Sequence, residues 1–264
     1  MNLDINGKVG LVTGGSRGIG RATALALANE GASVGICARG EVDLTKQLED
    51  LAMINPSVWG SIADVTDRGD IERFVADSVE NLGGIDLLVC NAGGSHGQST
   101  LAATDEEWAA TLDLNLLHSV RTIRAVVPHM TERGGGAIVI VSSISGWKPG
   151  PRGQYGSAKA AEIFLAGTLA WELAESNIRV NTVSPGSIMF AGGNWERFKN
   201  DNPAEFDRWM EKDLPSHRLG TDEEVADAIV YLLSKRAGWI NGANIPVDGG
   251  QGRPSARWFD GQSF

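Results

Sequence analysis

The feature that most restricts the fold of this chain is an alternation of short apolar runs with longer amphipathic stretches. Seven runs rich in Val and Ile predict strands, namely VGLVT from Val9, SVGIC from Ser33, SVWGSI from Ser57, IDLLVC from Ile85, GAIVIVS from Gly136, IRVNTVS from Ile178 and ANIPVD from Ala243. Between them, segments such as 18–29 and 67–82 repeat apolar residues at the spacing of an amphipathic helix. Strands that are apolar throughout are buried on both faces, and helical crossovers join parallel strands. The pattern predicts a doubly wound α/β fold, with a seven-stranded parallel sheet and helices on both faces.

We expect residues 1–264 to form one domain, because neither an internal repeat nor a low-complexity linker divides the chain. Two segments depart from the alternation. We interpret 187–215, which is irregular and aromatic, as a lid over a cleft, and 251–264 as an extension that packs on a neighbouring subunit. An ordinary surface loop and a frayed terminus are the alternative interpretations.

The composition of the chain restricts the cellular environment and the binding partners that we expect for it. The chain has 23 basic and 33 acidic residues, a formal charge of −10 and no basic cluster, so it repels nucleic acid. No apolar run approaches the ~20 residues of a membrane span, and the opening MNLDINGKVG lacks a secretory signal pattern, so we expect a cytoplasmic protein without membrane contact. Cys37 and Cys90 fall within predicted buried strands, so we expect neither a disulfide nor a metal site.

The stretch LVTGGSRGIG, residues 11–20, joins the first strand to the first helix and admits two interpretations. Gly14, Ser16 and Gly18 match the turn that exposes a nucleophilic serine in hydrolases. The glycines also fit a dinucleotide cradle, in which Gly14 permits the turn, Gly18 admits a pyrophosphate, and Gly20 packs the helix on the strand. Ser16 is then a hydroxyl donor near phosphate. We favour the cradle because no histidine has an evident acidic partner, and the hydrolase remains an alternative.

Motifs spread along the chain complete a recognisable pattern. They are TGGSRGIG at Thr13, ADV at Ala63, CNAGG at Cys90, LNLL around Asn115, VSSISG at Val141, Tyr155-x-x-x-Lys159, SPGSI at Ser184 and VDGG at Val247. In this order and spacing they resemble the short-chain dehydrogenase/reductase (SDR) family, and among its members the bacterial β-ketoacyl-acyl carrier protein reductases. The resemblance covers nearly the whole chain. It implies a Rossmann-type NAD(P)-binding domain, an oxidoreductase that interconverts a carbonyl and an alcohol, and a homotetramer.

The chemistry of carbonyl reduction explains the central motifs. Hydride transfer builds negative charge on the carbonyl oxygen, and Tyr155 can donate the proton that neutralises it. A free phenol has a pKa of ~10, and the ammonium of Lys159, on the same helix face, favours its ionisation. By the resemblance, Lys159 also bonds the cofactor ribose, and Asn115 bends a helix and holds a water. The S-x-x-G pattern selects Ser143 as the substrate-binding hydroxyl, whereas the spacing from Tyr155 selects Ser142; we favour Ser143.

The end of the second predicted strand, GICARG, favours NADP(H) over NAD(H). Ala38 stands where NAD-dependent relatives place an aspartate, Arg39 follows it, and Arg17 in the glycine turn adds a second guanidinium for a ribose phosphate. The alternative is that both guanidinium groups are merely solvated. The resemblance implies further cofactor contacts from Gly14, Ser16, Gly18, Ile19, Gly20, Asp64, Val65, Asn91, Ala92, Gly93, Tyr155, Lys159, Pro185, Gly186 and Ile188.

Several substrate classes stay open. A partly aromatic pocket wall is predicted from Ser95, His96, Trp147, Gln154, Phe190, Trp195 and Phe198. An acidic chain meets an acidic carrier protein slowly, so a free small ketone, a keto ester or a sugar-like carbonyl is an equal candidate. Met189 and Phe190 stand where many relatives have a threonine for the nicotinamide carboxamide, which leaves the backbone or Ser187. A non-catalytic NADP(H)-binding sensor is the remaining alternative, and the presence of the whole catalytic set argues against it.

Overall fold

A single parallel sheet forms the centre of the molecule. The computed structural model describes residues 2–252. The sheet has the strand order β3-β2-β1-β4-β5-β6-β9, and its strands are β1 (Val9–Thr13), β2 (Ser33–Ala38), β3 (Val58–Ile62), β4 (Leu87–Cys90), β5 (Gly136–Val141), β6 (Ile178–Pro185) and β9 (Asn244–Val247). Two short strands, β7 (Ile188–Met189) and β8 (Gly220–Thr221), pair apart from it. All seven predicted strands are confirmed, and each neighbouring pair is parallel.

Helices cover both faces of the sheet, as the sequence predicts. They are α1 (Gly18–Asn29), α2 (Glu41–Ala52), α3 (Arg68–Leu82), α4 (Asp105–Leu112), α5 (His118–Glu132), α6 (Gly153–Glu172), α7 (Asn194–Asp201), α8 (Pro203–Asp213) and α9 (Asp222–Leu233). Apolar residues of α1, α2 and α9 form one core, and those of α3, α5 and α6 form the other. Neighbouring residues of a strand point to opposite faces, so Val12 of β1 belongs to the first core and Leu11 to the second. Among residues 2–252, no helix combines the length and apolar character needed to span a bilayer.

The prediction that 187–215 is irregular is wrong. Helices α7 and α8 occupy most of this segment, and their aromatic side chains form a small core of their own. Trp195 stacks on Trp209 with ring centroids 4.1 Å apart, and Phe198 packs edge-on against Phe206. Burying these rings against one another gives two short helices the apolar contacts that neither has alone. The predicted subunit contact of 251–264 lies outside the described residues, apart from Gln251 and Gly252.

Candidate active site

The glycine turn between β1 and α1 packs too tightly for larger residues. Gly14 has φ +65° and Gly18 has φ +52°, the left-handed region that favours glycine. A Cβ on Gly20 would lie 2.3 Å from the carbonyl oxygen of Gly14, so only glycine lets α1 approach the turn this closely. The side-chain amide of Asn91 donates to the carbonyl oxygens of Thr13 (3.0 Å) and Gly14 (3.1 Å) and fixes the turn against the end of β4.

Helix α1 begins at this turn without a side-chain cap. Its N-cap residue, Arg17, makes no capping hydrogen bond, and its first turn holds no acidic residue. In contrast, Asp67 caps α3, and Thr104 and Thr221 form capping boxes at α4 and α9. The first-turn N–H groups of a helix and the positive end of its dipole attract anions. The start of α1 is therefore available to a phosphate at the cleft.

A buried histidine, His118, contacts Thr13, the last residue of β1 before the glycine turn. His118 lies within the core, with Nε2 3.0 Å from the hydroxyl of Thr13 and Nδ1 3.1 Å from the carbonyl oxygen of Asn115. Burial, with the charge of Lys159, lowers the pKa of His118 to about 4, so the ring is neutral at physiological pH. Within residues 2–252, neither a histidine nor a carboxylate hydrogen-bonds to Ser16. Ser16 therefore lacks the general base that a hydrolase nucleophile requires.

Helix α6 brings Tyr155 and Lys159 together at the cleft. Lys159 is buried, and its ammonium donates to the carbonyl oxygen of Val141 at the end of β5 (2.9 Å). The Nζ atom lies 5.7 Å from the centroid of the Tyr155 ring. Tyr155 is partly exposed and lines the cleft. The spacing of four residues therefore places an ammonium beside a phenol, as the sequence predicts.

Glu162, which the sequence analysis missed, faces the same lysine. Both carboxylate oxygens lie 3.1 Å from the Nζ atom of Lys159, and the side chain is about 1% exposed. Burial raises the pKa of Glu162 to about 7, although the ammonium pulls the pKa down. Burial alone would lower the pKa of Lys159, but the charges of Glu162 and Tyr155 outweigh it and raise that pKa.

The two candidate serines have different environments. Ser142 is 4% exposed, and its hydroxyl donates to the carbonyl oxygen of Lys159 (2.8 Å). Ser143 is less buried, and its Oγ accepts a hydrogen bond from the backbone N–H of Ser145 (3.1 Å), which leaves its hydroxyl hydrogen free to donate. Both residues line the cleft. The hydroxyl of Ser142 is thus committed to α6, whereas that of Ser143 can donate to a ligand.

Asn115 lies in a π-helical turn, Asp113–Leu117, between α4 and α5. Its side-chain N–H groups donate to the carbonyl oxygens of Gly94 and Thr111, both at 2.7 Å. A Cβ on Gly93 would lie 2.8 Å from the Asn115 oxygen and 3.2 Å from the Lys159 ammonium. Gly93, just beyond β4, therefore lies against both Asn115 and Lys159 and leaves no room for a larger residue.

A cleft of about 770 Å³ runs along the carboxyl ends of the strands. It brings together most of the predicted residues: Gly14, Ser16, Arg17, Gly18, Ile19, Arg39, Val65, Asn91, Ala92, Gly93, Ser143, Tyr155, Lys159, Pro185, Gly186 and Ile188. Gly20, Asp64 and Asn115 do not line it. The Asp64 carboxylate instead accepts hydrogen bonds from the backbone and hydroxyl of Thr66, which hold its pKa below the usual range together with a smaller effect of Arg39.

The substrate end of the cleft differs from the predicted wall. Ser95, Phe190 and Trp195 line it, whereas His96, Trp147, Gln154 and Phe198 do not. Gln154 is fully buried, and its amide donates to the carbonyl oxygen of His96 (2.8 Å). The lining also includes Arg152 and Arg197, which the sequence analysis did not single out. Neither lies within a conspicuous sequence pattern, so only the folded chain identifies them.

Ser187, which follows Pro185 and Gly186, is hydrogen-bonded by Gln251. The amide of Gln251 accepts from the backbone N–H of Ser187 (2.7 Å) and donates to its hydroxyl (2.9 Å). Ser187 is 7% exposed and does not line the cleft. Because Ser187 is buried outside the cleft lining, the structure does not bring its hydroxyl to the predicted carboxamide contact.

A glycine turn that leads from the first strand into an uncapped helix, and a cleft along the strand ends, define the dinucleotide-binding class of doubly wound domains. The family model described as Enoyl-(Acyl carrier protein) reductase matches residues 14–251. The human Dehydrogenase/reductase SDR family member 4 is 39% identical over 248 residues, which cover 92% of this chain and 87% of that protein. The chain therefore belongs to the short-chain dehydrogenase/reductase family of oxidoreductases.

Two solved structures with bound ligands share this fold. L-sorbose reductase from Gluconobacter frateurii, complexed with NADPH and L-sorbose, has a TM-score of 0.89 and 33% identity, covering 95% of this chain and 98% of its own. A 7α-hydroxysteroid dehydrogenase complexed with NADH and 7-oxo glycochenodeoxycholic acid has a TM-score of 0.88 and 28% identity, covering 95% and 96%. These relatives bind different nicotinamide coenzymes and substrates of very different size.

Proposed function

We propose that this protein is an NADP(H)-dependent oxidoreductase that reversibly reduces a carbonyl of a small molecule to an alcohol, with Tyr155 as the acid or base. The observation that carries the proposal is the Tyr155–Lys159 pair on a cleft that begins at the uncapped start of α1. The family and both coenzyme-bound relatives support the reaction class.

The residues of the cleft fit a dinucleotide that carries a ribose phosphate. Gly14 and Gly18 present no side chain to the cleft, and the first-turn N–H groups of α1 can donate to the pyrophosphate. Arg17 and Arg39 line the far end of the cleft, and Ala38 offers no carboxylate to ribose hydroxyls there. Asp43 is the acidic residue that lines this end. Two guanidinium groups favour a 2′-phosphate, which supports NADP(H) over NAD(H).

The chain's own groups supply the proton transfer. When bound, the nicotinamide supplies or accepts the hydride. Ser143 donates a hydrogen bond to the substrate oxygen, and Tyr155 donates its phenolic proton to that oxygen during reduction. The ammonium of Lys159 stabilises the phenolate that remains. Oxidation of the alcohol uses the same residues in reverse, with the phenolate of Tyr155 as the base.

The helices α7 and α8 fit the role of a lid, which we include in the proposal. Phe190 packs over the glycine turn, since a Cβ on Gly18 would lie 3.0 Å from its ring. Trp195 follows on α7, lines the cleft and stacks on Trp209. A lid whose rings hold one another moves as a unit and excludes water from the reacting groups when closed.

A Tyr155→Phe variant tests the proposed function. Phenylalanine keeps the ring and removes the acid, so we expect turnover with NADPH to fall by about 10²-fold or more while NADPH still quenches tryptophan fluorescence with a similar Kd. A screen of ketones, keto esters and sugars with NADPH precedes this comparison. Tyr231→Phe, on α9 outside the cleft, is the matched control. Full turnover of the Tyr155→Phe protein would refute the mechanism, and binding without turnover in the unsubstituted protein would favour the sensor.

A further inference from the structure

Glu162 is a carboxylate that the proposed proton transfer does not use, although it contacts the lysine of the active site. Its side chain is about 1% exposed, and both oxygens lie 3.1 Å from the Nζ atom of Lys159. Glu162 does not line the cleft in which we propose that substrate and coenzyme bind. It lies three residues after Lys159 on α6, on the side of the ammonium that faces the core.

The surroundings of Lys159 make Glu162 its counter-charge. From the other elements packed here, Val141 of β5 contributes a carbonyl oxygen and Ser142 a hydroxyl. Burial raises the pKa of the Cys90 thiol at the end of β4 and lowers that of His118 on α5, so both groups are neutral at physiological pH. The Asn115 amide is uncharged.

A negative charge on Glu162, next to the Lys159 ammonium, affects the ionisation of the Tyr155 phenol. The positive charge of Lys159 favours the phenolate of Tyr155, and a negative charge on Glu162 offsets part of that effect. In the low-dielectric interior such charges are poorly screened, because little water separates them. The ionisations of Tyr155 and Lys159 are coupled, so the pH at which the first proton is released is a property of the pair and not of either residue alone.

Resting on the proposed function, we propose that Glu162 is a positioning residue that balances the charge of Lys159 and sets the pH at which the Tyr155–Lys159 pair releases its first proton. Removal of the carboxylate leaves the pair with an extra positive charge. The pair then releases a proton at lower pH, whichever of its two groups loses it. Glu162→Gln keeps the shape and removes the charge, so we expect that pH to fall by about one unit.

The chain offers a direct readout of this ionisation without substrate or coenzyme. It has two tyrosines, Tyr155 and Tyr231, so a Tyr231→Phe background leaves Tyr155 as its single phenol. The measurement is a pH titration, by NMR, of tyrosine isotope-labelled at Cζ, compared between the background protein and its Glu162→Gln form. We expect the first alkaline inflection at lower pH in the variant. The falling limb of kcat/KM for carbonyl reduction moves in the same direction.

Controls separate a charge effect from a general perturbation. Glu172→Gln removes an exposed carboxylate from the end of the same helix and is expected to leave the inflection unchanged. Glu162→Met removes the charge with an apolar side chain of similar length, and it serves if the glutamine variant does not fold. If neither folds, the Tyr155 resonance of the background protein is expected to respond when Glu162, whose pKa is raised to about 7, takes up a proton, and a resonance that stays fixed across that pH counts against the proposal.

An inflection that stays in place, or that moves to higher pH, in a folded Glu162 variant overturns the role of Glu162. This outcome leaves the proposed function intact if Tyr155→Phe still abolishes turnover. Conversely, if the expected shift is seen but the protein reduces no carbonyl, the proposed function is refuted and the electrostatic role of Glu162 stands.

Discussion

Arg39 is the residue at which the two coenzymes are expected to be distinguished. It is exposed, follows Ala38 at the end of β2, and lines the same cleft as Arg17 of the glycine turn. Arg39→Gln removes the charge, and we expect the Kd for NADPH to rise about tenfold while that for NADH stays nearly unchanged, because only NADPH has the ribose phosphate. Quenching of tryptophan fluorescence measures both constants. Arg124→Gln, at an exposed position of α5 outside the cleft, is the control, and equal weakening of both coenzymes by Arg39→Gln would contradict the assignment.

His118 makes stability depend on pH in a predictable direction. Its pKa is about 4 in the folded protein against an ordinary value of 6.5, so below pH 6.5 the unfolded chain binds the proton more strongly. Its contribution to stability is complete above that value and is lost as pH falls toward about 4. Between about pH 7 and about pH 5 we expect a loss of about 2 kcal/mol in the free energy of unfolding that His118→Gln does not show.

Urea unfolding at the two pH values measures this difference for His118. His217→Asn, at an exposed position with φ +50°, controls for the loss of a histidine as such. Asparagine tolerates this left-handed backbone, so the control adds little strain. A His118→Gln protein with the same pH dependence as the parent would show that the ring is not the group responsible.

At the scale of the element, two helical glycines have opposite roles. A Cβ on Gly20 of α1 would lie 2.3 Å from the Gly14 carbonyl oxygen, whereas nothing lies within 4 Å of a Cβ on Gly167 of α6. We expect Gly20→Ala to displace α1 from the turn, lowering the free energy of unfolding by about 1–3 kcal/mol and weakening NADPH binding. Gly167→Ala is expected to stabilise α6 of the separate chain by up to about 1 kcal/mol, because alanine has the higher helix propensity, and association through this face of α6 would reduce the gain. Thermal unfolding compares them, and an undisturbed Gly20→Ala protein would refute the packing argument.

Elements differ in how far the sequence determines them. The strands were predictable because a strand buried on both faces needs an uninterrupted apolar run, as β1 and β5 have. Helix α1 was predictable to its bounds, since the glycine turn and the apolar period agree. Helices α7 and α8 were missed because Gly192, Gly193 and Pro203 interrupt a segment whose aromatic residues belong to a small separate core.

Within the site, local spacing predicted the Tyr155–Lys159 pair but not Glu162. An i, i+4 relation on a helix is fixed by its geometry, so the first pair follows from the sequence. Whether an acid at i+3 points to water or to the core depends on what packs against α6. The carbonyl oxygen of Val141 at the end of β5 accepts from Lys159, and Glu162 is buried beside that lysine. A lone acid within the apolar stretch AAEIFLAG was the available hint.

For the whole molecule, the exposed aromatic side chains of α6 offer a surface for association, and the tetramer remains a prediction of the family resemblance. Phe164 is 79% exposed and Trp171 is 83% exposed, and association would remove both from water. We expect light scattering after size exclusion to give the mass of four chains, and the double replacement Phe164→Glu with Trp171→Glu to give a smaller species. Met53→Glu, at an 81% exposed residue after α2, is the control and should leave the mass unchanged. A monomeric parent protein would contradict the prediction.

The uncapped start of α1 links the supply of coenzyme to the survival of the protein. A phosphate bound there completes a helix that the chain leaves unfinished, and ligand at a hundred times its Kd adds about 2.7 kcal/mol to the stability of the native state. If the proposed coenzyme binds there, molecules without it lack this stabilisation and are expected to unfold more often, which exposes them to proteases. The cellular abundance of the protein would then follow the concentration of its coenzyme, and its rate of degradation would report how much of it is bound to coenzyme.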